Sequence, residues 1–404
     1  MNKLLSKINL PYHLIKRPEL PKWKAILYRA IGLLAGFILM DLLLLAFAGA
    51  NPIEVVECLF RGSFGSSRRV WVTFRELALM LMVALALVPA FKMKFWNLGG
   101  NGQILIGDLM AIVCMYFMGN AGCPDWAIIL VMIPSSILGG MIWALIPAIF
   151  KAFFNTNESL FTLMLNYIAA GLVSIFIASV ATSGSGTLSI IEKGNLVSIF
   201  GEDYLLTIIC ALGVLALVVV FLRFHKWGYE LSVVGESENT AKYIGINVKK
   251  TIIRTMAISG AICGLVGLLL AGSLDHTINA DSARNLGFTA ILVAWLSQFN
   301  PLAMVGTSFL VAFLNNGMSS VQSTFNITND SIKDISISVL YFSIIAIEFV
   351  INYKITRTKK NVATLATATA INSVLKVPQK EAEQKTDVTT NAVKNDENQD
   401  REVK

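Results

Sequence analysis

Residues 235–247 read GESENTAKYIGIN and lie in the longest basic connection of an otherwise apolar chain. Their local chemistry predicts one short helix. Ser237 is suited to be its N-cap, Glu238 complements the positive end of the helix dipole, and Gly245 suits a left-handed stop. So short a helix between two apolar runs favours the docking of a soluble partner, and an amphipathic helix lying on the lipid surface is the alternative.

The composition around this stretch is that of a membrane protein. Hydrophobic residues make up 55% of the 404 residues and charged residues 15%, and the mean hydropathy is +0.65. Soluble globular proteins of this length do not have such values. Ten apolar runs are candidate spans, the last three of them shorter or interrupted: 30–50, 70–90, 126–150, 159–182, 203–224, 251–272, 335–353, 100–119, 287–299 and 302–317. We therefore predict an all-α polytopic membrane protein with about ten transmembrane helices.

The distribution of Lys and Arg predicts its orientation. Basic residues cluster before the first span and after the last, so the positive-inside rule places both termini in the cytoplasm, with three external arginines as exceptions. Residues 1–29 are then a basic N-terminal segment, 30–353 the transmembrane domain, and 354–404 a mostly disordered tail. This topology accounts for the net charge of +7, so nucleic acid is not an expected partner, whereas the lipid bilayer is.

The third span opens with glycines, in FKMKFWNLGGNGQILIGD from Phe91 to Asp108. Glycine permits irregular backbone inside a helix bundle, so this span is expected to begin broken. Its polar side chains either line a solute path or hydrogen-bond neighbouring helices that the glycines let approach. They are Asn97, Asn101, Gln103 and Asp108. No phosphate-binding Gly-Lys-Ser/Thr follows the glycines, so if ATP drives this protein another chain hydrolyses it.

Five stretches, taken in order, resemble bacterial ABC-transporter permeases of the branched-chain amino acid and simple-sugar superfamily, most closely the nucleoside and simple-sugar branch. They are FWNLGGNGQILIGD (95–108), NESLFTLMLNYIA (157–169), VGESENTAKYIGINV (234–248), SGAICGLVG (259–267) and GFTAILVAWLSQFNP (287–301). Two positions depart from the family pattern. Asn101 stands where the glycine motif usually has an acidic residue, and Ser237-Glu238 stands where the coupling helix usually begins with Asn-Pro.

The resemblance implies an ABC importer permease fold and a permease subunit that moves a nucleoside or simple sugar across the bacterial inner membrane. Its implied partners are an ABC ATPase that uses ATP and Mg, a second homologous permease chain and an extracytoplasmic substrate-binding lipoprotein. Coupling to the ATPase would involve Gly235, Glu236, Ser237, Ala241 and Gly245. This chain itself is expected to bind no cofactor or metal and to carry no catalytic residue.

Three further residues are candidates for the substrate path. Asn166 either forms an interhelical hydrogen bond or lines the path, and its family position favours the path. Tyr167 and Trp295 either pack within the membrane or stack on a sugar or nucleobase. An ion-coupled secondary transporter of small polar solutes is the alternative function, because such proteins also use discontinuous helices. The sequence contains no convincing internal repeat of the kind they show.

Overall fold

Long apolar helices dominate the fold. The computed structural model describes residues 12–17, 21–181, 184, 186–199, 204–327 and 329–357. Its helices are α1 (Lys22–Ala48), α2 (Pro52–Phe64), α3 (Ser67–Lys92), α4 (Gly100–Asn120), α5 (Asp125–Phe154), α6 (Glu158–Val180), α7 (Leu205–Phe224), α8 (Lys226–Glu236), α9 (Glu238–Tyr243), α10 (Val248–Leu269), α11 (Leu286–Leu296), α12 (Pro301–Thr324) and α13 (Asp330–Asn352). A π-helical turn, Leu270–Asp275, extends α10.

Within the described residues, nine helices are long and apolar enough to cross a membrane. The tenth predicted span is α11, whose 11 residues extend about 16 Å, well short of a hydrocarbon core of about 30 Å. Nine of the predicted spans are therefore confirmed as helices of membrane-spanning length, and the tenth is present as a shorter apolar helix. The remaining helices, α2, α8 and α9, lie in the connections.

Helix α2 was not predicted, because its acidic and basic residues keep it below the hydropathy of a span. It is a well-formed helix nonetheless. Asn51 caps it by accepting a hydrogen bond from the Ile53 N–H at 3.2 Å, and Pro52 occupies the first turn. Gly62 lets it approach α12 closely, since a Cβ there would lie 2.9 Å from the Cα of Gly317.

The core is centred on α3, in which no residue from 78 to 88 is more than 4% exposed. Helices α4, α5 and α10 cross one another at glycines. A Cβ on Gly107 of α4 or on Gly140 of α5 would lie 2.6 Å from the Cα of Gly264 in α10. Such close backbone contact is how membrane helices associate without a hydrophobic driving force.

Two short strands were also not predicted. They are β1 (Tyr12–Lys16) and β2 (Tyr353–Arg357), which pair antiparallel with Leu14 opposite Ile355. The all-α prediction is correct apart from this pair, which five-residue segments give too little side-chain pattern to reveal. The chain that leads into the first helix thus lies beside the chain that leaves the last. Residues 1–11 and 358–404, with most of the predicted tail, lie outside the described residues.

Residues 27–347 form one compact unit, and residues 1–26 and 348–404 form a smaller one whose described part contains the strand pair. Within the larger unit, the connections fall into two groups. Lys94, Lys151 and Glu236 line one cavity of about 210 Å³ and define what we call the basic end. Connections on the other side meet where Thr187 pairs with Asn279 and where the Gly194 N–H donates to Asp125 at 3.0 Å. We call this the opposite end.

Candidate functional site: a buried amide network, an exposed short helix and a polar cavity

The chain between α3 and α4 re-enters the bundle without helical structure. Residues 95–99 are non-helical, and Asn97 among them is fully buried. Its side-chain oxygen accepts hydrogen bonds from the Gly99 N–H at 3.0 Å and from Gln103 Nε2 at 3.2 Å, while its Nδ2 donates to Ser259 of α10 at 3.4 Å. The prediction that this span begins broken is confirmed. Irregular backbone is tolerated at this position because protein surrounds it and supplies its hydrogen bonds.

Helix α6 holds the same segment from a second side. Asn166 Oδ1 accepts from the Gly102 N–H at 2.8 Å, and its Nδ2 donates to the Leu98 carbonyl at 2.9 Å. One turn earlier, the Thr162 hydroxyl accepts from the Leu98 N–H at 3.1 Å. Both functional groups of the Asn166 amide are therefore used to fix backbone.

Asn101 completes the network on the side of α11. Its Oδ1 accepts from the Gly287 N–H at 2.6 Å and its Nδ2 donates to Asn285 Oδ1 at 3.3 Å. The first turns of α4 and α11 lie close enough for this because a Cβ on Gly100 would be only 3.1 Å from the Cα of Gly287. Asn101, which replaces the acidic residue usual in the family motif, thus joins two helix starts.

The polar side chains of the glycine motif were expected either to line a solute path or to hydrogen-bond neighbouring helices. This geometry favours hydrogen bonding to neighbouring helices for most of them. The amides of Asn97, Asn101 and Asn166 are occupied by protein partners, and Gln103 Oε1 has no partner among the described residues. Asp108 lies outside this network. It is 1% exposed, and neither of its carboxylate oxygens has a hydrogen-bond partner within the part of the chain that the structure describes.

The two aromatic candidates lie apart from the network and from each other. Tyr167 is 75% exposed on the outer face of α6. Trp295 belongs to an aromatic cluster, in which its ring centroid lies 5.4 Å from that of Trp96 and 5.9 Å from that of Phe299. Phe91 also belongs to the cluster and contacts both Trp96 and Phe299. This cluster lies beside the last turn of α3, near the basic end.

Removing the Asn166 amide should lower the amount of folded protein. Asn166→Leu leaves the Leu98 carbonyl and the Gly102 N–H buried without their partner, at about 1–3 kcal/mol for each group. Membrane abundance and thermal stability in detergent measure this loss. Tyr167→Leu is the matched control because the neighbouring side chain is exposed. Normal abundance of Asn166→Leu combined with lost uptake would instead support a direct role in the path.

The segment from residue 235 to 247 has the predicted caps. Ser237 Oγ accepts from the Thr240 N–H at 3.2 Å at the start of α9, and Gly245 has φ of 84° just beyond its end. The extent of the helix needs correction. Gly235 and Glu236 close the preceding helix, α8, so the segment contains two helices rather than one. Gly235 packs so tightly on the Lys92 carbonyl that a Cβ would overlap it, which fixes α8 to the end of α3.

The two faces of α9 differ. Ala241 is fully buried in a cluster that includes Ala90, Ala144 and Val234. It therefore packs α9 against the bundle and is not accessible to a partner. Tyr243, in contrast, is 93% exposed, and Ile244 beside it is 51% exposed. Two adjacent apolar side chains at the tip of a basic connection form an exposed anchor of the kind that protein interfaces use.

A polar cavity of about 680 Å³ lies in the other half of the bundle, among α3, α12, α13 and the first turn of α11. This volume falls within the range of about 300–1,000 Å³ that is usual for small-molecule sites. Its polar and aromatic lining includes Glu76, Asn285, Phe288, Asn315, Asn316, Asp334 and Tyr341. The polar residues among them were not candidates from sequence. The pair Asn315-Asn316 inside an apolar run was the available signal.

Arg284 forms part of the cavity wall and is held by acidic side chains. Its guanidinium pairs with Asp275 and lies 3.8 Å from Glu76 Oε1, which also accepts a charged hydrogen bond from Arg75 at 2.9 Å. Arg284 and Asn285 have positive φ, 47° and 55°. Two consecutive left-handed residues other than glycine cost conformational energy and cluster at ligand sites.

Comparison with known proteins gives a consistent result. A family model described as branched-chain amino acid transport system / permease component matches residues 73–347. The nucleoside ABC transporter permease protein NupB of Lactococcus lactis is 28% identical over 86% of this chain and 97% of its own length. The guanosine ABC transporter permease protein NupP of Bacillus subtilis is 30% identical over 82% and 94%, and the glucose ABC transporter permease protein TsgB13 of Haloferax volcanii is 22% identical over 86% and 94%. No solved structure matches the chain.

Proposed function

Since this chain belongs to the family of branched-chain amino acid transport system permease components, we propose that it is the membrane-spanning subunit of an ATP-driven importer for a nucleoside or simple sugar. The relatives named for nucleoside, guanosine and glucose transport support this substrate class, and each aligns with most of this chain. The chain translocates the solute without covalent chemistry. ATP and Mg are used by a partner.

The single observation that carries the proposal beyond the family is the exposed tip of α9. This helix is capped at both ends and its Ala241 packs on the bundle, while the preceding helix α8 is fixed through Gly235 to the end of the central helix α3. The outward anchor of α9, Tyr243 and Ile244, is free to dock in a groove of an ATPase subunit. Closure of the ATPase would move α9, and the Gly235 contact would pass that movement to α3 and the re-entrant segment behind it.

The partners and orientation follow from this assignment. A second, homologous permease chain completes the translocation path, and an extracytoplasmic lipoprotein delivers the solute at the opposite end. The basic end faces the cytoplasm of a bacterial cell, in line with the positive-inside rule. Ten membrane-embedded segments return the chain to its starting side if the short α11 and its flanking residues cross once together, and the β1–β2 pairing supports this parity.

Uptake in energy-depleted cells tests the function against the ion-coupled alternative. A strain lacking this chain should lose uptake of radiolabelled guanosine or glucose, and expression of the chain should restore it. In the restored strain, a protonophore at maintained ATP should leave uptake largely intact, whereas ATP depletion at maintained membrane potential should stop it. The reverse pattern would favour ion coupling, for which Asp108 of α4, whose carboxylate has no hydrogen-bond partner among the described residues, would be the first residue to examine.

A further inference from the structure

We infer that the polar cavity bounded by Glu76, Arg284, Asn316 and Asp334 is where this permease holds its solute, and that it accepts an uncharged nucleoside or sugar while rejecting the phosphorylated form. This inference rests on the proposed function and assigns the site and its selectivity. Four separate observations lead to it: the depth of three of its polar groups, a hydroxyl without a hydrogen-bond partner among the described residues, the fixed arginine and the balance of charge.

Three groups of the polar lining, Glu76, Asn315 and Asn316, lie deep in the span, whereas Asp334 is exposed about one turn from the start of α13. Glu76 follows the start of α3 by nine residues, and Asn315 precedes the end of α12 by nine, which is about 13 Å along either axis. Carboxylates and amides at such depth are costly unless they face protein, water or a solute. Asn316 is already oriented by donating to Thr73 Oγ1 at 3.0 Å. The polar groups of the cavity wall are therefore held in place by the protein, and the open side of the cavity suits a polar solute rather than lipid.

The hydroxyl of Tyr341 can form a hydrogen bond with a bound solute. This side chain lines the cavity, and its oxygen is buried without a hydrogen-bond partner among the described residues. A buried hydroxyl in that condition is unfavourable, and a hydroxyl or amide of a bound solute would relieve it. Phe288, on α11, adds a second ring to the lining. Aromatic rings with nearby hydrogen-bonding groups suit the apolar faces and polar edges of sugars and nucleobases alike.

The only guanidinium that lines the cavity wall among the described residues is already engaged. Arg284 pairs with Asp275 on one side and faces Glu76 on the other. A phosphate would have to break this arrangement to reach the cation. An uncharged solute could accept from or donate to the same groups without disturbing the pairs.

The balance of charge also opposes anions. Among the described side chains that line the cavity or pair with its lining, Glu76, Asp275 and Asp334 carry three negative charges, and Arg75 and Arg284 carry two positive ones. The remaining negative charge belongs to Asp334. Asp334 is exposed, and at the effective dielectric usual near a protein surface one such charge close to a phosphate weakens binding by about tenfold.

Equilibrium binding to the full-length chain, purified with its accompanying subunits in lipid nanodiscs, tests this site. The probes are tritiated guanosine, glucose and guanosine monophosphate. We expect guanosine or glucose to bind and the monophosphate not to bind measurably. Asp334→Asn should raise monophosphate binding relative to the uncharged ligand by about tenfold. Tyr341→Phe should weaken the uncharged ligand by about fivefold.

Asp281→Asn is the matched control, because Asp281 is an exposed acid that does not line the cavity. It should leave the binding ratio unchanged. Comparable binding of guanosine and its monophosphate by the unaltered protein, or a ratio that responds to Asp281→Asn but not to Asp334→Asn, would overturn the assignment. So would a Tyr341→Phe protein that binds as the parent does. Guanosine and glucose measured separately show which of the two uncharged classes the cavity holds.

The site and the proposed function can fail independently. If the cavity variants change binding as expected but uptake proceeds without ATP, the site stands and the importer assignment is wrong. If uptake requires ATP and the cavity variants change neither binding nor uptake, the importer assignment stands and the solute is held elsewhere, for instance at the contact with the second permease chain.

Discussion

Replacing Gly264 with leucine is expected to abolish accumulation of the folded permease. Gly264 lies where α10 meets α4 and α5, and a Cβ at this position would overlap the Ser136 carbonyl and lie 3.1 Å from the Cα of Ile137. Backbone atoms of a neighbouring helix cannot move aside as a flexible side chain would. We therefore expect a loss well beyond the roughly 1–3 kcal/mol of ordinary overpacking.

Membrane abundance and a monodisperse peak after detergent extraction measure this effect. Gly213→Leu is the matched control, since Gly213 is an exposed glycine of α7 with no atom within 4 Å of its would-be Cβ. Gly213→Leu should accumulate normally. Equal accumulation of the two variants would mean that α4, α5 and α10 do not cross as closely as the structure has them.

The sequence alone is sufficient for those features that depend on local composition. Hydropathy locates most of the spans to within a few residues because each must match the bilayer by itself, whereas α12 runs seven residues beyond its predicted end at residue 317. Ser237 and Gly245 are recognisable as caps because capping depends on one residue and its immediate neighbours. The glycines at 99, 100 and 102 likewise predict that the helix is interrupted there, since few other residues tolerate irregular backbone beside a packed helix.

Features that depend on which helices become neighbours are not available from the sequence. Asn97 by its polar side chain and Asn166 by its family position are candidates for a solute path, and only the structure shows that their amides hydrogen-bond backbone groups of the re-entrant segment. Ala241 has the small side chain of a contact surface but faces inward. The cavity gathers Glu76, Arg284 and Asp334 from three distant parts of the chain, so no local pattern brings them together.

Truncating Tyr243 is the second change with a large expected effect, and it acts on coupling rather than folding. The side chain is 93% exposed, so Tyr243→Ala should leave the permease at its normal abundance. Exposed aromatic anchors that become buried in an interface contribute about 2 kcal/mol or more, equivalent to more than tenfold in affinity. We expect the ATPase subunit to be lost on copurification and substrate-stimulated ATP hydrolysis to fall by at least about tenfold.

Tyr229→Ala separates docking at α9 from a general effect of removing an exposed tyrosine. Tyr229 is 65% exposed on the neighbouring helix α8, and its truncation should leave ATPase recruitment intact. Recruitment that survives Tyr243→Ala but not Tyr229→Ala would move the docking surface to α8. Recruitment that survives both would remove α9 as the ATPase contact and favour the alternative interpretation, in which Tyr243 and Ile244 anchor a surface helix in the lipid headgroup region.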